Sequence, residues 1–228
     1  MVFCSLLVYP LDNIYRYAAE RCLGKLLAQL DESDVLLTYE RNCLLSRNEA
    51  WRLKPKVVAM SLAIAEKNEW VAYVDADIDF KGDFVKRLKE FLAAVENDGK
   101  PTIVATKIWE RGGDNWIDES IIIDYYNRSQ LGVRMWDFYF GTGLFIVNKA
   151  FLQFVDEWQI LTNLSQHFPE ETALVALVHR HLDKIRLVWL PDEIHFVGWK
   201  LRQVKEDASA IHIGSDNIDM WLKAAKEG

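Results

Sequence analysis

Trp70-Val71-Ala72-Tyr73-Val74-Asp75-Ala76-Asp77-Ile78 is the stretch on which the fold turns. Its first five residues are a continuous apolar run, the pattern of a central parallel strand buried on both faces. The run ends abruptly on carboxylates, and in open α/β sheets the carboxyl ends of such strands face the ligand crevice. Side chains alternate along an extended segment, so Asp75 and Asp77 are expected on one side of it. Two carboxylates at that spacing suit one hard divalent cation, Mg2+ or Mn2+, which takes one or two protein oxygens and completes its shell with water and phosphate oxygens. Acid pairs at strand ends also occur as plain solvated edges, so the surrounding pattern has to decide.

Working back toward the start, an apolar run covers residues 2–9, a helical pattern 13–30, a second apolar run 35–39, and a helix signal begins at Pro55 and runs to about residue 68. This is the βαβα rhythm of an α/β domain. Ile14, Ala18, Cys22, Leu26 and Leu30 recur every fourth residue, with Asp12 as the expected N-cap, and Pro55 fits the first turn of a helix. Working forward, Phe84, Leu88, Phe91, Leu92 and Val95 trace one helix face, and residues 102–105 read as the next strand. Between Lys107 and Asp137 the period is lost, and Trp109, Trp116, Tyr125, Tyr126 and Trp136 fall among polar residues. A strand over 138–147, helices over 149–161 and 169–182, strands at 185–190 and 210–213, and a last amphipathic turn or two at 220–225 complete the pattern. Asp79 reads as a turn residue before Gly82, with a third metal-shell carboxylate as the alternative.

Half of the 228 residues are apolar, enough to bury a sizeable core. With 34 acidic against 27 basic side chains, the formal charge of −7 disfavours nucleic acid or an anionic membrane as partner. Cys4, Cys22 and Cys43 are odd in number, lack C-x-x-C spacing and lie among apolar or helical neighbours, as reduced core cysteines do. The first apolar run has no basic segment before it and is too short to span a bilayer. The expectation is a cytoplasmic protein with no transmembrane segment, folded as a single domain over 1–228.

Four segments, in order, carry a family resemblance: the stretch from Lys54-Pro55-Lys56 through residues 70–78; Phe140-Gly141-Thr142-Gly143-Leu144-Phe145-Ile146-Val147-Asn148; Pro169-Glu170-Glu171-Thr172-Ala173-Leu174; and His212-Ile213-Gly214. They resemble the GT-A fold nucleotide-sugar glycosyltransferases, and among these the glycogenin-like and lipopolysaccharide galactosyltransferase-like group. The resemblance runs from the first strand to residue 214. Gly141 stands where that group usually has Asn, Glu171 where it often has Gln, and the Lys-Pro-Trp that commonly follows the His-x-Gly is absent.

The resemblance implies a GT-A type α/β/α domain with a mostly parallel sheet, residues 1–105 binding a nucleotide-diphosphate sugar and residues 106–228 a carbohydrate or other hydroxyl acceptor. It implies transfer of a hexose from a UDP-sugar, with Asp75, Asp77 and His212 holding Mn2+ or Mg2+, and Asp77, Glu170 and Glu171 as catalytic candidates. Tyr9, Pro10, Tyr39, Arg41, Lys54, Asp75, Ala76, Asp77 and Gly214 are the expected donor contacts. His212 reads equally as a buried histidine satisfied by a carbonyl, and Glu170 and Glu171 as ordinary carboxylates favoured by a helix dipole. The aromatic stretch 109–136, with Asp114, Asn115, Asp118 and Arg134, is expected either as an acceptor surface or as peripheral core or interface. Two other enzyme classes share features of this pattern. A D-x-D phosphatase places its motif after the first strand, and a sugar-nucleotide pyrophosphorylase needs a glycine-rich loop where Tyr9-Pro10-Leu11-Asp12 has none. A catalytically degenerate sugar-nucleotide binder or scaffold of the same fold is the alternative to an active enzyme.

Overall fold

A computed structural model describes residues 1–66, 69–115, 117–131, 137–197, 207–214 and 218–226. The chain opens with β1 (Val2–Val8), α1 (Ile14–Leu27), β2 (Val35–Arg41), α2 (Arg47–Trp51), α3 (Lys54–Ile64) and β3 (Trp70–Val74). Next come β4 (Ile78–Phe80), α4 (Phe84–Ala94), β5 (Thr102–Glu110), α5 (Glu119–Ser129) and β6 (Phe138–Asn148). A 3-10 turn, Lys149–Phe154, leads into α6 (Val155–Leu164), α7 (Pro169–Arg180), β7 (Arg186–Trp189), β8 (His195–Val197), β9 (Ala210–His212) and α8 (Ile218–Lys226).

Six strands form the main sheet in the order β2-β1-β3-β6-β5-β7, and β4, β9 and β8 form a smaller one. The β1–β2, β1–β3 and β5–β7 pairs are parallel, while β6 runs antiparallel between β3 and β5. The expected mostly parallel α/β sheet is therefore present, with one reversed strand at its centre.

Period-two alternation sorts each strand between two cores. Val2, Cys4, Val71 and Tyr73 face one core, shared with α3, α5, α6 and α7. Phe3, Leu7, Ala72 and Val74 face the other, shared with α1, α4 and the small sheet. Strands covered on both faces have no solvated side, which is why their sequences read as unbroken apolar runs. All eleven residues of β6 are buried. Phe145 on β6 meets Trp158 on α6 edge to face at 5.7 Å, a geometry that adds about 0.5–1.5 kcal/mol to the burial of both rings. Burial pushes the Cys4 thiol up to about 12, so it stays protonated and unreactive as expected of a core cysteine.

Several local expectations are corrected. Asn13, not Asp12, caps α1, its side chain accepting from the Tyr15 amide at 2.8 Å; Asp12 is exposed. Helix α2 was not foreseen because it is one turn long, held by a Ser46–Glu49 capping box instead of an apolar face. The short strands β4 and β8 are three residues each, below the length at which alternation is readable. Asp79 lies in β4, paired with Lys25 at 2.9 Å, and not in a turn.

The stretch with no period contains a helix, α5, and extends β5 to Glu110. Trp109, Tyr125 and Tyr126 there belong to the first core and are at most 8% exposed, so for these three the packing alternative holds and the acceptor surface does not. Trp116, Arg134 and Trp136 lie outside the described residues. Among the described residues, no helix is long and apolar enough to cross a membrane.

Candidate functional site

Pairing register builds the site. β3 and β6 are aligned with Val74 opposite Leu144, so the next residue, Asp75, donates its amide to the Gly143 carbonyl at 2.6 Å. The chain then turns through Asp75-Ala76-Asp77 before entering β4; the segment is a turn, not the extended strand end expected. The turn still separates the three side chains. Ala76 packs into the second core, while both carboxylates face the cleft. β4 pairs with β9, placing Ile78 opposite His212, and the Ile213 amide donates to the Asp77 carbonyl at 3.1 Å.

Three parts of the chain thus bring Asp75, Asp77 and His212 together, one ligating atom from each lying within 4.8 Å of the others. His212 Nε2 is 3.2 Å from Asp77 Oδ1. Gly143 makes this possible. A Cβ there would sit 2.2 Å from His212 Cε1, so only glycine leaves space for the imidazole. Two carboxylates and an imidazole form a donor set that fits Mn2+ or Mg2+.

Charge in this pocket is balanced by burial against pairing. Burial raises the Asp75 carboxyl, Lys54 opposes that, and Asp77 adds to it, leaving a net rise. For Asp77 burial also works upward, but His212 outweighs it and the carboxyl lies below its ordinary value. Burial would lower the His212 imidazole, yet Asp77 and then Asp75 hold it above the usual range. Behind it, His195 is kept neutral by burial and by His212, with Nδ1 2.6 Å from Thr106 Oγ1.

Lys54, only 3% exposed at its side chain, lies 3.1 Å from Asp75 and 3.0 Å from Glu170. The Tyr73 hydroxyl donates to Asp75 Oδ1 at 3.0 Å. The two glutamates at the start of α7 are separated by this arrangement. Glu170 is buried as a counter-charge to Lys54. Glu171 is half-buried in the cleft, with Oε1 accepting from the Tyr139 hydroxyl at 2.6 Å and Oε2 from the Thr142 amide at 3.1 Å. Phe168, which precedes α7, has φ 42°, a left-handed backbone that costs a non-glycine residue about 1–3 kcal/mol. It is held by Trp51 and Tyr125, with ring centroids at 5.4 and 5.0 Å.

Two adjoining cavities meet at the acidic turn. The first, about 500 Å³, includes the three candidate ligands, Lys54, Glu170, Glu171 and Gly214, whose φ of 81° suits glycine. The second, about 350 Å³, is lined among the described residues by positions from Leu6 to Asp77, including Tyr9, Tyr15 and Ala76. Tyr9 stacks on Tyr15 at 5.8 Å, and its hydroxyl is pushed up to about 12 by burial and by Asp77 and Asp75.

Pro10, Tyr39 and Arg41 line neither cavity. Pro10 accepts the Asn13 amide in a turn, the Tyr39 hydroxyl lies 3.3 Å from Ser61 Oγ on the far side of the sheet edge, and Arg41 is exposed. Arg47 and Trp51, which border both cavities, were missed together with the short helix that carries them. Thr142 and Gly143 were legible as parts of a strand and of the resemblance block, with no role of their own, and Tyr139 only as part of the strand.

This arrangement, an α/β/α sandwich with an acidic turn after its third strand and a histidine returning from the small sheet, is the GT-A type fold. No family model matches the sequence, and no curated protein matches it either. Among solved structures, a glycosyltransferase involved in glycosylation of the major capsid of PBCV-1 aligns with a TM-score of 0.59 at 12% identity, covering 98% of both chains. The bifunctional glycosyltransferase WbbM gives 0.59 at 13% identity over 99% of this chain and 49% of its own, so this chain spans about half of it. The galactosyltransferase LgtC, in complex with donor and acceptor sugar analogues, gives 0.56 at 10% identity over 100% of this chain and 96% of its own. At such identities the likeness is one of fold.

Proposed function

We propose that the chain is a metal-dependent glycosyltransferase that moves a sugar, expected as a hexose, from a UDP-sugar to a carbohydrate or other hydroxyl acceptor. The observation that carries this reading is the convergence of Asp75, Asp77 and His212 at the junction of the two cavities. In that reading the second cavity takes the nucleotide, with Tyr9 and Tyr15 beside the base, and the first takes the sugar and acceptor. Asp75, Asp77 and His212 would hold Mn2+ or Mg2+, whose chemistry when bound is to offset negative charge on the departing diphosphate. Lys54 bridges Asp75 and Glu170 and holds both in place. Glu171, fixed at both oxygens, is oriented to accept a hydrogen bond from the incoming hydroxyl. The retention of all three candidate ligands, with a glycine shaped to the histidine, favours this over a degenerate binder.

A thermal-shift series of UDP-sugars with and without Mn2+ tests the reading. A ligand at a hundred times its Kd stabilises the native state by about 2.7 kcal/mol, which for a chain of this size raises Tm by roughly 5–10 °C. The rise is expected only with metal and nucleotide together. No shift with any UDP-sugar in Mn2+ or Mg2+ would sink the proposal.

Tyr139→Phe probes the role given to Glu171. A hydrogen bond to a carboxylate contributes about 1.5–3 kcal/mol, so a loosened Glu171 should slow turnover about tenfold or more. The rate to follow is hydrolysis of a UDP-sugar, in which water takes the acceptor's place. UDP affinity should hold, because Tyr139 borders neither cavity. Equal turnover in the variant would remove Glu171 from the reaction.

A further inference from the structure

Arg47, Trp51, Lys54, Asp75 and Asp77 border both cavities, so a ligand that occupies the two together must pass between these side chains. Resting on the proposed donor reading, with the nucleotide in the second cavity and the sugar in the first, the part that passes there is the diphosphate. Two of the five are cations, and they are placed differently. Lys54 is buried and bridges Asp75 and Glu170 at 3.1 and 3.0 Å. Arg47 is exposed, at the start of α2.

An exposed arginine on a loose loop would sweep a wide volume, and α2 narrows it. Ser46 and Glu49 cap the turn at its start. At its end Arg52 donates from Nη2 to the Ser165 carbonyl at 3.0 Å, and the Arg52 carbonyl accepts from Gln159 Nε2 at 3.3 Å. Trp51 packs on Phe168 between them. These contacts tie α2 to α6 and to the segment before α7, so the backbone that carries Arg47 is fixed at the junction by the protein itself. The Tyr9 hydroxyl shows how near the guanidinium comes: burial, Asp77 and Asp75 raise its pKa, and Arg47 opposes them. Arg47 and the acidic turn thus act on one and the same side chain of the second cavity.

Charge explains what such a cation does there. Asp75, Asp77, Glu170 and Glu171 line the first cavity, and Lys54 offsets one of the four formal charges. A divalent ion with neutral His212 as its ligand would offset two more, so the pocket stays net negative as an anionic diphosphate enters. We infer that Arg47 binds the donor's diphosphate from the α2 side, complementing a metal held at Asp75, Asp77 and His212. A guanidinium offers a planar fork to two phosphate oxygens at once, which an ammonium meets only as a point charge.

Calorimetry with UDP in Mn2+ on the purified chain, Arg47→Met and Arg47→Lys tests this, beside an NMR titration with uridine, which carries no phosphate. Arg47→Met is expected to weaken UDP about ten- to a hundredfold, the size of one charge-assisted contact. Uridine affinity and ligand-free Tm should stay near the parent's, because substitution of an exposed side chain changes stability by about 0.5 kcal/mol or less. Arg47→Lys keeps the charge without the fork and should recover part of the loss. If Arg47 serves only to shape α2, UDP and uridine weaken by the same factor. That result, or undiminished UDP binding by Arg47→Met, overturns the inference while the donor site stands. If the parent chain binds no UDP, the donor reading itself fails, and this inference with it.

Discussion

Asp77→Ala is expected to abolish Mn2+-dependent binding of a UDP-sugar while leaving a folded protein. Substituting a residue that merely orients a metal ligand costs about ten- to a hundredfold in affinity. A direct ligand shared between ion and diphosphate should cost more, so a loss beyond a hundredfold is the expected result. The fold should survive because the turn is held by main chain: the Asp75 amide on Gly143 and the Ile213 amide on the Asp77 carbonyl are independent of the Asp77 side chain. What the side chain does supply is a partner for His212. Asp77→Ala leaves that imidazole less well paired, at a cost of about 1–3 kcal/mol, whereas Asp77→Asn keeps a polar neighbour and should lose metal dependence with a smaller fall in Tm. Calorimetry with UDP and Mn2+ decides: a variant that melts near the parent and binds as tightly would show that Asp77 is no ligand.

What was legible in the sequence follows from how many residues cooperate in each signal. β1, β3 and β6 each contribute a run of apolar side chains to two cores, so their burial is written into composition and could be read directly. The acidic turn was found because Asp75 and Asp77 interrupt such a run. Their shape was not, since the choice between strand and turn depends on β4 pairing with β9, more than a hundred residues away. His212 shows the same limit. Alone it is the one polar residue that ends a three-residue strand, and only the space left by Gly143 turns it toward Asp77. Glu170 and Glu171 are adjacent and alike in sequence, yet Lys54 pairs with the first and Tyr139 with the second, while Thr142 reaches both. That division arises from tertiary packing and has no local trace. The aromatic stretch misled for a related reason: Tyr125 and Tyr126 are consecutive on α5, and both are buried because α7 and β6 flank the helix, which blurs the one-sided pattern expected of a surface helix.

Lys54→Met is the substitution expected to cost the most stability. The Lys54 ammonium lies between Asp75 and Glu170 with its side chain almost wholly enclosed, 5.0 Å from the centre of the Tyr73 ring. Burial alone would lower its pKa, but the two carboxylates outweigh that and hold it above the ordinary lysine value. Methionine keeps the length and apolar stem, so packing changes little and the loss is one of charge. Removing one partner from a buried ion group destabilises by about 3–5 kcal/mol, because the remaining carboxylates are left buried without a counter-charge. Because the folded pKa is raised, the stabilisation is complete below the unfolded lysine value of about 10.4 and is lost only as pH rises beyond the folded one. Denaturant unfolding should therefore show the same deficit at pH 7 and pH 8.5. Adding Glu170→Gln to Lys54→Met removes one stranded charge and should restore part of the loss, a coupling that a double-mutant cycle measures directly. Additive losses in that cycle, or a single variant as stable as the parent, would mean that Lys54 is not the charge that holds Asp75 and Glu170 together at the site.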